Sequence, residues 1–130
     1  MKKLLFFFSF LLVSHNIFSQ ESFLGKSVEE IYYLNSSHRC YENFKIGSNK
    51  SLHVLIDDNT IDIYIFNDNN ICVEYDHIIS NCSPEKISSL LSSNYIKNGD
   101  YFQSYDNQYS AQIQQIAALS FKIRFVKRSY

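Results

Sequence analysis

The chain has 130 residues, 45% of them hydrophobic, so it has room for one domain with its own core. Twelve basic residues face thirteen acidic ones and give a formal net charge of −1, which argues against a nucleic-acid binder because such proteins need clustered lysine and arginine. Only three glycines are present, and they form neither a phosphate-binding loop nor a dinucleotide-binding fingerprint.

The first segment, MKKLLFFFSFLLVSHNIFSQ, has the pattern of a secretory signal peptide. Lys2 and Lys3 give a positive start, an apolar run follows, and Ser19 is a small residue at a suitable cleavage position. The apolar run has about ten residues, too few to span a membrane easily. We therefore predict a signal peptide over 1–19 and a single α+β domain over 20–130, with no transmembrane segment in the mature chain.

Removal of the two lysines would leave the mature chain with a net charge of −3. We expect it to be exported and soluble, either periplasmic or extracellular. The abundance of Asn, Ile, Ser, Lys and Tyr, together with the signal-peptide ending FSQ, is similar to exported proteins of Bacteroidetes.

The first predicted helix begins at Ser27, because Ser27 and Glu30 have the spacing of a capping box. Val28, Ile31 and Tyr32 would share its apolar face. A weaker strand is predicted over 40–46.

The central part of the chain predicts hairpins. Residues 52–56 and 61–65 alternate in polarity, and a two-residue turn at Asp58-Asn59 would place Leu52 opposite Ile65, with the isoleucines in the core. A three-residue loop over 68–70 would then pair Ile65 with Val73, because asparagine tolerates the left-handed conformation such a loop needs.

A second helix is predicted from Ser83, the N-cap, with Pro84 in the first turn. Its apolar stripe would reach Tyr95, and Asn98-Gly99 would end it. Strands are predicted near 101–105, 111–116 and 121–127.

This order predicts an α+β fold. We expect an antiparallel sheet of about five to seven strands with two helices on one face, a two-layer sandwich in the order α-β-β-β-β-α-β-β-β. The two halves look like one helix-plus-meander unit used twice.

The opening stretch Leu24-Gly25-Lys26-Ser27-Val28-Glu29-Glu30-Ile31, leading into a helix and a meander, is similar to small helix–meander proteins of bacterial envelopes. These include the beta-lactamase-inhibitor-protein-like fold and small lipoproteins of outer-membrane assembly. The resemblance implies a binding role, with Gly25 and Ser27 opening the helix. The chain has no cysteine that could accept a lipid after the apolar run.

The sequence contains only weak indications of a catalytic or metal site. His77 is expected on the inner face and Cys72 on the outer face, which separates them, and His38 with Cys40 lacks further ligands at zinc spacing. Asp62 is expected opposite Asp76, which could hold a cation, but residues 68–70 lack the glycine and distal glutamate of a calcium loop. We predict no metal and no cofactor.

The mature chain has three cysteines, which leaves one unpaired if a bridge forms. We expect no obligatory disulfide. The least unlikely pair is Cys40 with Cys82, because Cys72 would lie on the other face.

The outer sheet face is the predicted partner-binding surface, because aromatic side chains anchor interfaces. The alternative is that the N-terminal extension or the first strand covers it. The residues expected on it are His53, Leu55, Asp62, Tyr64, Phe66, Cys72 and Glu74.

The sequence thus predicts an exported, non-enzymatic domain that binds a protein or envelope component. A small periplasmic hydrolase or thiol enzyme and a structural envelope component are the alternatives.

Overall fold

The structure, a computed structural model, describes residues 23–46, 49–92 and 95–128, and the side chains within those ranges except at 43–46. The predicted signal peptide over 1–19 lies outside the described residues. Two helices and eight strands follow in the order α-β-β-β-β-α-β-β-β-β: α1 (Val28–Leu34), β1 (Arg39–Ile46), β2 (Asn49–Asp57), β3 (Thr60–Phe66), β4 (Cys72–Ile79), α2 (Pro84–Ser92), β5 (Tyr95–Asn98), β6 (Tyr101–Ser104), β7 (Tyr109–Ala117) and β8 (Ser120–Lys127).

The eight strands form one antiparallel sheet with the order β1-β2-β3-β4-β8-β7-β6-β5. The α+β class and the antiparallel sheet are confirmed, and the strand count is higher than the predicted five to seven. Each half contributes a helix and a four-stranded meander. Among the described strands, the two halves are joined by the pairing of the last strand of each, β4 with β8.

The predicted capping box opens α1. The Ser27 side chain accepts from the backbone N–H of Glu30, and the Glu30 carboxylate accepts from the backbone N–H of Ser27. These bonds satisfy two of the free N–H groups at the helix start. Ile31 is buried on the apolar face, and Asn35 caps the other end.

The segment before α1 is attached to the start of β4. The N–H of Gly25 donates to the carbonyl of Cys72 over 2.8 Å, and the N–H of Cys72 donates to the carbonyl of Lys26 over 2.8 Å. Gly25 has a φ of +89°, a conformation that side chains with a Cβ rarely adopt. This attachment brings the Phe23 ring against Tyr64 at a centroid separation of 5.1 Å.

Both predicted hairpin loops are present. β2 and β3 are joined by the two residues Asp58-Asn59. Between β3 and β4, the N–H of Asn67 donates to the carbonyl of Ile71, which closes a three-residue loop over 68–70. Asn70 adopts a φ of +60°, the left-handed position expected in such a loop.

The predicted register is nevertheless wrong in both hairpins. A bulge at Ile56 places Leu52 opposite Tyr64 instead of Ile65, and a bulge at Val73 places Ile65 opposite Glu74. A shift of one residue moves every side chain of a strand to the other face. The helix-covered face of β3 therefore carries Asp62, Tyr64 and Phe66, and its isoleucines point the other way.

The core lies between this face and the two helices. Ile31 of α1 and Ile87 and Leu91 of α2 pack against inward side chains from the strands. The strand contribution is dominated by buried aromatic and aliphatic residues, namely Leu52, Val54, Tyr64, Phe66, Tyr75, Tyr95, Phe102, Phe121, Ile123 and Phe125.

The second helix starts as predicted, because the Ser83 hydroxyl accepts from the N–H of Lys86 over 3.3 Å. It ends at Ser92, earlier than predicted. Tyr95 belongs to β5, where its ring packs on Phe125 at 6.1 Å, and Asn98 closes the β5–β6 hairpin opposite Tyr101. The Asn98-Gly99 signal therefore marks a hairpin turn and not a helix end.

Candidate functional site

The helix-free side of the sheet, called the open face below, contains two central rows of cross-strand neighbours. One row runs Arg39, Leu55, Ile61, Ile78, Lys122 and Gln114. The next runs Tyr41, His53, Ile63, Asp76, Arg124 and Gln112. A third row contains Ser51 and Ile65, which are buried.

Three of the predicted partner-binding residues lie on the open face. Leu55 is exposed in the first row, His53 lies beside Ile63 in the second, and Glu74 adjoins Ile65 in the third. The role predicted for them stays a prediction.

Four other residues expected on the outer face lie on the helix-covered side instead. Asp62, Tyr64, Phe66 and Cys72 are all buried there, and the last three belong to the main core cluster. The two bulges are the cause, because they invert the strand faces relative to an unbroken ladder. These four side chains are not available to a partner without unfolding.

Four aliphatic side chains occupy the open face, and the sequence had assigned two of them, Ile61 and Ile63, to the core. Leu55, Ile61 and Ile78 are direct cross-strand neighbours, and Ile63 lies next to them. None of the four belongs to the main core cluster. A contiguous group of this kind on the face away from the helices marks an interaction surface more often than a scattered apolar residue does.

An arginine between two carboxylates lies beside this group. Arg124 donates to both carboxylate oxygens of Asp76, over 3.0 and 3.1 Å, and its Nε lies 3.3 Å from Glu74. Asp76 is only 4% exposed. Burial raises the pKa of Glu74, while the nearby Arg124 charge opposes that rise. The hydrogen bonds to Asp76 in turn raise the pKa of Arg124.

His53 and Tyr41 form the start of the second row. Tyr41 is exposed on the edge strand β1, opposite His53. Nε2 of His53 is buried and has no hydrogen-bond partner among the described residues. A buried nitrogen without a partner costs free energy until something donates to it or accepts from it.

The helix-covered face holds a separate polar network. Nδ1 of His77 lies 2.6 Å from Oδ1 of Asp62 and 3.3 Å from the hydroxyl of Tyr75. Burial raises the pKa of Tyr75 well above its usual value, and the Asp62 charge adds to the effect. Tyr75 therefore stays protonated, and the three side chains form a hydrogen-bonded network on the helix-covered face.

The expected contact between Asp62 and Asp76 does not occur. Asp62 pairs with His77 across β3 and β4, and Asp76 faces the opposite side of the sheet. Each carboxylate has its own cationic or imidazole partner. Within the described ranges, no group of three or more metal-ligating side chains converges.

The three cysteines are free thiols. Cys40 is half-buried, with its Sγ 3.9 Å from the Asn35 carbonyl and 3.7 Å from the His38 carbonyl. Cys82 is buried before α2 in the other half, so the structure does not join it to Cys40. Cys72 is buried in the core, where burial raises its pKa to about 12.

The chain matches no protein-family model, no curated protein and no solved structure. In the described part of the chain, no helix has the length and apolar character needed to cross a bilayer.

Proposed function

We propose that this protein is an exported, non-enzymatic domain that binds a protein or envelope partner through the open face of its sheet. The observation that carries the proposal is the aliphatic group Leu55, Ile61, Ile63 and Ile78, which lies on the helix-free side and outside the core cluster. Burying such side chains against a partner is the main favourable term in association.

The charges around this group favour one kind of partner. Arg39 and Lys122 belong to the same row as Leu55, Ile61 and Ile78, on either side of them, and neither makes an ion pair with a described residue. The carboxylates of Asp76 and Glu74 are already occupied by Arg124. We therefore expect the surface of the partner to present apolar side chains flanked by carboxylates.

Export is the second part of the proposal, and it is supported by the signal-peptide pattern alone. Mass spectrometry of the protein recovered from the cell envelope or the medium would test it. We expect a mature N-terminus at or near Gln20. A full-length chain retained in the cytoplasm would refute export.

Site-specific photo-cross-linking in the native host tests the binding surface. A photoreactive amino acid at position 41 or 55 would capture a partner that contacts the open face. Matched controls at Tyr33 and Tyr105 probe side chains that are at least as exposed but lie on α1 and in the β6–β7 turn. We expect one dominant cross-linked species from the first two positions and none of that species from the controls.

A charge reversal on the surface sharpens the test. Lys122→Glu, combined with the photoreactive residue at position 55, should reduce the cross-linked yield several-fold because it repels an acidic partner. Absence of any product at positions 41 and 55, or identical products at all four positions, would sink the proposal.

A further inference from the structure

Each half of the molecule forms a pocket at an equivalent place. The first lies between the start of α1 and the β1–β2 hairpin, with a volume of about 210 Å³, and is lined by Val28, Glu29, Tyr32, Glu42, Lys50 and Leu52, among others. The second, called the α2 pocket, lies between the start of α2 and the β5–β6 hairpin, with a volume of about 360 Å³. Both open on the helix-covered side, away from the open face.

The polar groups of the first pocket bond to one another. The hydroxyl of Tyr32 donates to Glu42 over 2.8 Å, and the ammonium of Lys50 donates to Asn70 over 3.2 Å. These internal bonds occupy groups that a ligand would otherwise use. The first pocket is therefore the smaller of the two, and its polar groups are already hydrogen-bonded within the protein.

The α2 pocket has an apolar floor made by four different elements. Ile87 of α2, Phe102 of β6, Ile113 of β7 and Phe121 of β8 converge there. All four are buried or half-buried. These four side chains give the base of an open depression an apolar surface on which the side chain of a ligand could pack.

The mouth of the α2 pocket carries one cation and one anion. Lys97 and Asp100 belong to the same hairpin, and both line the pocket together with Ser88. Among the residues that the structure describes, neither Lys97 nor Asp100 forms a side-chain hydrogen bond or an ion pair, with each other or with a third group. This distinguishes them from Lys50 and Glu42 in the first pocket.

We propose that the α2 pocket binds a small zwitterion with an apolar side chain, the chemical class of a free aliphatic or aromatic amino acid. Its carboxylate pairs with Lys97, its ammonium pairs with Asp100, and its side chain lies on the apolar floor. Each feature of the ligand matches one feature of the pocket that the protein itself leaves unpartnered. The site is independent of the open face, which lies on the other side of the sheet.

The test uses isotopically labelled protein and NMR chemical-shift titration with three probes. L-Phenylalanine carries both charges, N-acetyl-L-phenylalanine lacks the cation, and phenethylamine lacks the carboxylate. We expect L-phenylalanine to shift amides around Ser88, Lys97 and Phe102, and to bind about twofold to fivefold more tightly than either analogue, the range for ion pairs at an exposed rim.

Two charge variants assign the pairs. Lys97→Met should abolish the difference between L-phenylalanine and phenethylamine while keeping the difference from the acetylated probe. Asp100→Asn should do the reverse. Both residues are exposed, so neither substitution threatens the fold. If either variant lowered the affinity for all three probes equally, the assigned pairing would be wrong.

A steric variant with a matched control completes the design. Ser88→Phe should block the pocket and remove binding of all probes, whereas Ser89→Phe, on the same exposed helix surface but outside the pocket lining, should leave it intact. Shifts scattered over the molecule, equal binding of the three probes to the native protein, or unchanged binding to Ser88→Phe would each overturn the proposal.

Discussion

The rings of Tyr64 and Tyr75 stack across β3 and β4 with centroids 4.9 Å apart, but their hydroxyls differ in hydrogen bonding. The Tyr75 hydroxyl lies 3.3 Å from Nδ1 of His77. The Tyr64 hydroxyl is buried and makes no well-formed hydrogen bond among the described residues, although the side chains of Asn35 and Tyr75 lie near enough to interact with it. Tyr75 thus contributes a hydrogen bond to the core network. Tyr64 contributes the packing of its ring, but its hydroxyl is poorly satisfied.

Replacing each tyrosine by phenylalanine should therefore change stability in opposite directions. Tyr64→Phe removes a buried hydroxyl that makes no well-formed hydrogen bond and should raise the free energy of unfolding by at most about 1 kcal/mol. Tyr75→Phe removes the bond to His77 and should lower it by about 1 kcal/mol. Urea denaturation followed by circular dichroism measures both. Equal decreases in the free energy of unfolding in the two variants would show that the Tyr64 hydroxyl is hydrogen-bonded in the folded protein.

The Arg124–Asp76 pair makes a second stability prediction. Arg124→Met would leave the nearly buried Asp76 carboxylate without its bidentate partner, and we expect a loss of about 2 kcal/mol. Lys122→Met, on the same strand and face but without an ion pair, should change stability by less than about 0.5 kcal/mol.

A double-mutant cycle identifies the cause of that loss. Asp76→Asn in the Arg124→Met background should cost less than Asp76→Asn alone, because the stranded charge is gone. Strict additivity of the two losses would contradict a direct interaction between Arg124 and Asp76.

The thiols should react in a fixed order. Burial raises the pKa of Cys72 to about 12 and also raises the pKa of the half-buried Cys40. Because the thiolate is the reactive form and both Cys72 and Cys82 are buried, native protein at pH 8 should react with a disulfide reagent slowly, and first at the more accessible Cys40. In denaturant all three cysteines should react at once. Mass spectrometry of labelled peptides reports the order, and early labelling of Cys72 would contradict its placement in the core.

Alkaline pH should destabilise the fold through its tyrosines. Burial is the main cause that raises the pKa of Tyr32 to about 12, with the Glu42 contact adding to it, and burial holds the pKa of Tyr75 well above its ordinary value. The unfolded chain therefore releases these protons at a lower pH than the folded protein does. Stability is retained below about pH 10 and lost as the pH rises toward 12.

Denaturation at several pH values, with tyrosinate absorbance recorded in parallel, measures this effect. Tyr32→Phe should reduce the loss of stability between pH 10 and pH 12. A free energy of unfolding that stays constant over that range would contradict the predicted linkage.

Three local signals of the sequence predicted local structure correctly. The capping box at Ser27, the N-cap at Ser83 and the loop over 68–70 depend on residues within a few positions of one another. The bulges at Ile56 and Val73 have no such signature, because a bulge is favoured by the twist and packing of the whole sheet. Each lies within three residues of a correctly predicted loop and still reverses the strand faces.

The same two bulges explain which part of the candidate site was missed. β3 contains two alternating stripes, one aliphatic and one with Tyr64 and Phe66, and hydrophobicity favoured the aliphatic stripe for the core. The aromatic stripe lies inside because Tyr64 stacks on Tyr75, which in turn stacks on Phe125 of the other half. That complementarity joins residues far apart in the sequence, so no local pattern could indicate it.

The mirrored strand order has a consequence for how the chain reaches this structure. Six of the seven strand pairs join consecutive strands, so they form by short loop closures that cost little entropy. Only β4 and β8 pair over a long distance, and the Asp76–Arg124 contact spans 48 positions. We therefore expect the slow event of folding to be the docking of two preformed meanders along a single seam. Destabilising substitutions in the hairpins, which are already formed when docking occurs, should then slow folding with little effect on the rate of unfolding.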